Sequence, residues 1–162
     1  MEISLSTANL WQRMLRWLMR IVTTGKWSNA EKEFQQTLQL DPTYANRHHW
    51  YGLYLSWGGR HAEALSHLKR AVELDPTNLK YNDNLAAVYQ NAGEYDRALQ
   101  QFNKTVAMYP ESSIIYNDLG DLYRTMGNYG LWLESWKKQA TLTNNHYIRK
   151  GAIPRGIDVE MR

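Results

Sequence analysis

The chain has no cysteine, only four prolines and only two phenylalanines among its 162 residues. Without cysteine there is no disulfide framework, no thiolate zinc site and no cysteine nucleophile. No apolar run is long enough to span a bilayer. A Walker-type glycine loop, a nucleophile elbow and a His-Glu-x-x-His pair are all missing, so the sequence offers no catalytic constellation and calls for no cofactor. A strong charge bias is lacking as well. The net charge is +3, and Lys and Arg are scattered among Asp and Glu instead of clustering on one face, which argues against a nucleic-acid partner.

What the chain does have is a period. Gly25, Gly59, Gly93 and Gly127 stand 34 residues apart, and so do Pro42, Pro76 and Pro110. Two kinds of punctuation in one register mark a supersecondary unit copied end to end, and 34 residues is the length of a helix–turn–helix unit. The spacing predicts helices near residues 10–23, 28–40, 44–57, 61–74, 78–91, 95–108, 112–125 and 129–142. Glycine between the helices of a unit supplies the positive φ that ends the first helix. Asp-Pro stops the second, because proline disfavours helical geometry in the residue before it. Small residues in the first helix (Gly52, Ala86, Gly120) and early in the second (Ala30, Ala64, Ala98) predict close helix contacts, with larger side chains interlocking around them.

These residues resemble the tetratricopeptide repeat: a central Gly or Ala followed by Tyr, a linking Gly, two small residues flanking an aromatic, and a closing Pro. The resemblance implies an all-α, right-handed superhelix of four units over residues 11–44, 45–78, 79–112 and 113–146. Residues 1–10 form an extension before it and 147–162 a tail after it. Leu18 stands where the first unit should have a small residue, Trp132 replaces the first alanine of the fourth, and Asn144 replaces its proline. Atypical terminal units are expected, because one face of each has no neighbour. The stretch from Tyr44 to Thr77 is also similar to repeat regions of bacterial signalling and regulatory proteins.

Both ends read differently from the middle. Residues 10–22 are amphipathic, with Arg13, Arg16 and Arg20 set against Met14, Trp17, Leu18 and Ile21. A membrane-surface adaptor anchored there is the alternative functional class; packing within the first unit explains the same residues. Gly151, Pro154 and Gly156 oppose a long helix in the segment from His146 to Arg162, which reads as irregular. His48 and His49, adjacent on a helix, diverge by about 100° and make no ready chelate. Asn103-Lys104-Thr105 matches a glycosylation triplet but falls in an expected helix and is discounted.

In the repeat that this sequence resembles, the first helix of each unit lines a concave groove. Helical spacing then brings to that face His49, Trp50, Leu53 and Trp57 of the second unit. It adds Lys80, Asp83 and Asn84 of the third, and Asn117, Asp118, Asp121 and Arg124 of the fourth. The line runs from aromatic, through amide, to acidic. Some members of the family clamp a C-terminal carboxylate with Lys, Asn and Arg, but the corresponding places here hold His49, Leu53, Asn84, Ile114 and Asp118. In a frame one unit earlier they hold Leu15, Met19, Trp50, Lys80 and Asn84. An acid where a cation is needed rules the clamp out. The reading is a non-enzymatic protein–protein interaction module or scaffold, cytoplasmic and bacterial, that binds a protein or peptide segment. No metal, nucleic acid or membrane partner is expected.

Overall fold

The computed structural model describes the backbone of residues 27–149 and the side chains of residues 31–144. The helix expected over 10–23, the amphipathic segment 10–22, the extension 1–10 and the chain beyond 149 lie outside the described residues. Among the described residues seven helices follow one another: α1 (Trp27–Leu40), α2 (Ala45–Trp57), α3 (His61–Leu74), α4 (Leu79–Asn91), α5 (Tyr95–Met108), α6 (Ser113–Thr125) and α7 (Tyr129–Arg149). There is no strand among the described residues. The pairs α2–α3, α4–α5 and α6–α7 make the closest associations, each pair then packs on the next, and the first helices α2, α4 and α6 also touch in turn.

The joint inside each pair is the same structure three times. Gly59, Gly93 and Gly127 take φ of 76°, 77° and 76°. The following amides of Arg60, Glu94 and Asn128 reach back to the carbonyls of Leu55, Tyr89 and Tyr123 at 2.9, 2.9 and 2.8 Å. This is the six-to-one bond of a Schellman turn, which satisfies a carbonyl that the helix end would otherwise orphan. A Cβ at these glycines would meet nothing within 4 Å, so the backbone angle alone demands glycine there.

The close contacts inside the pairs fall where the period places them. Ala64, Ala86 and Ala98 are completely buried, and Gly52 and Gly120 are buried too. At Gly52 a Cβ would stand 2.7 Å from Leu68 Cγ and 3.1 Å from the Ala64 carbonyl oxygen, so α3 approaches α2 to a distance only glycine permits. Two apolar clusters run through the stack. One joins Phe34 of α1 and Leu65 and Leu68 of α3 to Leu85 and Val88 of α4. The other joins Phe102 of α5 to Ile115, Leu119 and Leu122 of α6.

A polar tie recurs among these apolar contacts. Asn82 on α4 donates to the Pro76 carbonyl at 2.9 Å and accepts from Gln101 Nε2 on α5 at 2.8 Å. One unit earlier, His48 on α2 sits 3.1 Å from the Pro42 carbonyl and 3.0 Å from His67 Nδ1 on α3. Each side chain fastens the proline turn and both helices of its unit together. Asn82 is fully buried, yet its polar groups are satisfied, which is what makes such burial tolerable.

Helix ends agree with the sequence pattern to within one residue for α1 to α6. α7 is the exception, for it continues to Arg149 instead of stopping at 142. Residues 146–149 are therefore helical, not irregular. The cause is the absence of proline at the register position: Asn144 keeps its amide hydrogen and does not restrict the residue before it, so nothing halts the helix there.

Candidate binding groove

The residues expected on the inner face lie on α2, α4 and α6, but their side chains divide into two groups. His49 is only 3% exposed. Its Nε2 is 2.7 Å from Asn84 Nδ2 on α4, and its ring packs 4.8 Å, centroid to centroid, from that of Tyr81. Burial first, and then the positive charge of Lys80, lower its pKa to about 4, so the imidazole is neutral. His49 is thus part of the wall between two units and not an open contact. Trp50 is half-buried against the first apolar cluster, so its ring is held by the scaffold along one side.

The second tie lies one unit further on. Asp83 of α4 hydrogen-bonds Asp118 of α6; burial, the Asp118 charge and that hydrogen bond raise its pKa to about 7. Two carboxyl groups in hydrogen-bond contact must share a proton. Asp118 also accepts from Asn117 Nδ2 at 2.9 Å. At the far end of the same helices Gln90 reaches Thr125 at 3.3 Å. In each case the partners stand 35 residues apart, one more than the period, so one inner-face position binds the next position of the following unit. The expected acidic end is correspondingly muted. Asp83 shares its proton, and Asp121 is paired with Arg124 at 3.0 and 3.1 Å.

Five of the expected residues remain open: Trp57, at 54% exposure, and Lys80, Asn117, Asp121 and Arg124. Leu53 and Asp118 are half-exposed. The face shared by α2, α4 and α6 therefore presents a tryptophan and a leucine on its first helix, a lysine on its second, and amide and carboxylate oxygens on its third. Sequence reasoning placed all eleven side chains on one face. It missed that His49, Asp83 and Asn84 are engaged in holding that face together, although the 35-residue spacing was the available signal.

Among the described residues no group of three or more His, Cys, Asp and Glu side chains could hold an ion. In the His48–His67 pair the ring centroids are 5.2 Å apart while the Nδ1 atoms are 3.0 Å apart. That difference is two ring radii, so the nitrogens face each other head-on through one hydrogen. Ligands of a common ion would instead turn toward a third point. Because the Pro42 carbonyl can only accept, His48 carries hydrogen on Nε2, and a single hydrogen lies between its Nδ1 and that of His67.

Residues 43–111 match the family model of the tetratricopeptide repeat. The two central units are tetratricopeptide repeats. Solved structures of MamA share the architecture. One crystal structure superposes with a TM-score of 0.69 at 22% identity, covering 79% of this chain and 75% of that one. MamA from MSR-1 gives 0.65 at 20% identity over 78% and 72%, and MamA from AMB-1 gives 0.63 at 20% over 85% and 75%. No curated protein sequence matches the chain. At these identities the likeness is one of fold: the array is an all-helical tetratricopeptide solenoid. No helix among the described residues is long and apolar enough to cross a membrane.

Proposed function

We propose that the protein is a non-enzymatic interaction module that takes an extended segment of a protein partner along the inner faces of α2, α4 and α6. The observation that carries this reading is the open row on that face. Trp57 and Leu53 offer an apolar anchor at one end, and Asn117, Asp118 and Asp121 offer acceptors at the other. The Asn117 amide also has capacity for a peptide backbone. Trp50, half-held by the core, forms a firm wall beside the anchor, as binding hot spots require. The partner's segment is neutral to basic, with its cation toward Asp118. The setting that fits the similarity of the central units is a bacterial signalling or regulatory assembly in the cytoplasm, with the solenoid as its docking arm.

The test begins with a peptide array and continues with titration of the best peptide against Trp57→Ala and Asp118→Lys. An anchor acts on dissociation and a rim charge on association. Trp57→Ala should therefore speed release, and Asp118→Lys should slow capture and flatten its salt dependence. Unchanged binding by both variants, or peptide footprints confined to α3 and α5, would place the interaction elsewhere.

A further inference from the structure

The second and third units share one tie made from two kinds of chemistry. His48 and His67 stand 34 residues before Asn82 and Gln101. Each pair joins the first helix of its unit to the second and to the proline turn. Asn82 and Gln101 are amides, which do not titrate, whereas imidazoles change charge close to neutral pH. Both rings are half-buried. Their Nδ1 atoms face each other at 3.0 Å, and His48 Nε2 is 3.1 Å from the Pro42 carbonyl. His67 also packs on Tyr51, with centroids 4.5 Å apart, and Tyr51 stacks on Phe34 of α1 at 5.2 Å.

The uncharged pair holds one hydrogen on His48 Nε2, one in the gap between the rings, and none on His67 Nε2. A first added proton takes that bare nitrogen and leaves the gap as it was. A second can enter only the gap, where the N–H groups of two cations would oppose each other at 3.0 Å. The charged groups around the pair are already engaged. Glu63 of α3 accepts from Arg60 at 2.7 and 2.6 Å, and Glu31 of α1 accepts from Arg60 at 2.6 Å and from Tyr51 at 3.2 Å. Asp41 in the turn accepts from Thr43 and pairs with Arg47. Burial, then the charge of His48, lowers the pKa of His67 and outweighs the opposing charge of Glu63.

We propose that the His48–His67 pair is an acid-operated joint: it fastens α2, α3 and the Pro42 turn while it carries at most one added proton, and it parts when a second arrives. The third unit, with amides in the same places, stays closed. Arg47 keeps its bonds to the Thr37 and Asp41 carbonyls, so the end of α1 stays with α2 and the loosening falls between α2 and α3. The joint uses none of the open inner-face residues, so the inference stands independently of the partner-binding reading.

Magnetic resonance of the full chain with isotope-labelled histidine and tyrosine reads the joint directly. As the pH is lowered from 8, a scalar coupling between the two Nδ1 nuclei should persist through the first protonation and vanish at the second, at least about one pH unit lower. The Tyr51 ring signals should move with that second step, because His67 then leaves them. His48→Asn with His67→Gln copies the third unit. This variant should lose less stability than the wild type as pH falls below 6.5, the ordinary histidine value, because a lowered pKa contributes stability that acid removes. His49 and Asp83 are the same in both chains and cancel in the difference. Three results overturn the proposal: no coupling at pH 8; a coupling lost, or Tyr51 signals moved, with the first proton; or a folded Asn–Gln variant that loses as much stability in acid as the wild type. Should the variant fail to fold, the coupling and the Tyr51 signals of the wild type still decide.

Discussion

Phe102 and Trp136 hold the same place in consecutive units and have opposite fates. Phe102 lies in a sealed cluster with Ile115 and Leu122, whereas Trp136 is 44% exposed. Their own helices do not cause the difference, since each packs on the first helix of its unit across the same kind of turn. The following unit does. In a solenoid a residue's burial is decided by its neighbour in the stack, and stability is a sum of units and of the interfaces between them.

The sharpest way to break that comparison is to truncate both positions. Phe102→Ala should cost about 3–5 kcal/mol, the range for emptying a sealed aromatic site. Trp136→Ala should cost at least about 2 kcal/mol less, because its loss leaves no closed cavity. Chemical denaturation midpoints at constant m-value decide it, and equal losses would mean the two positions are not equivalent. Next comes a methyl group at the two small positions. Gly52→Ala pushes into Leu68 and the Ala64 carbonyl, and should cost about 1–3 kcal/mol. Gly120→Ala meets Ser135 Cβ at 3.3 Å and should be milder; thermal melts in which Gly120→Ala proved the worse would show that α7 is held more rigidly than α3.

The inner-face ties differ between the units as well, and pH separates them. Asp83 has a pKa raised from 3.8 to about 7 in the folded protein. The native state therefore binds more protons than the unfolded chain between those values, and stability must fall as pH rises through that window. The His49–Asn84 tie works the other way. With its pKa lowered from 6.5 to about 4, His49 adds stability that is fully present above pH 6.5 and lost as pH falls toward 4. Asp83→Asn should remove the first slope and leave the second in denaturation curves taken from pH 4 to 8. A wild-type profile unaltered by Asp83→Asn would mean the carboxyl pair shares no proton. The smallest effect is expected at Arg124→Ala, which breaks an exposed pair with Asp121 and should shift stability by no more than about 0.5 kcal/mol.

The fold was legible because glycine and proline constrain the backbone locally, and Gly59, Gly93 and Gly127 announce the turns whatever surrounds them. The end of α7 was not, since Asn144 marks a missing stop signal and a missing signal does not say how far a helix continues. The inner face was half legible. Helical spacing gives the direction of a side chain, so His49, Asp83 and Asn84 were expected on one face of α2 and α4. Whether a neighbouring unit then engages that side chain depends on the offset between helices, which a single helix does not encode. His48 and Asn82 show the same limit. Their spacing marks them as packing residues, but their hydrogen bonds to the proline turn and the partner helix emerge only when both helices are in place.

The one-residue surplus over the period has a consequence for how such an array could be rearranged. Excising residues 79–112 would remove a whole module and bring Asp118 to the place Asn84 now fills, opposite His49. The Asp–Asp and His–Asn contacts would both vanish, and a carboxylate would face an imidazole instead. A module boundary here thus carries a chemical address: the backbone would join any two modules, but only certain side chains make them compatible neighbours.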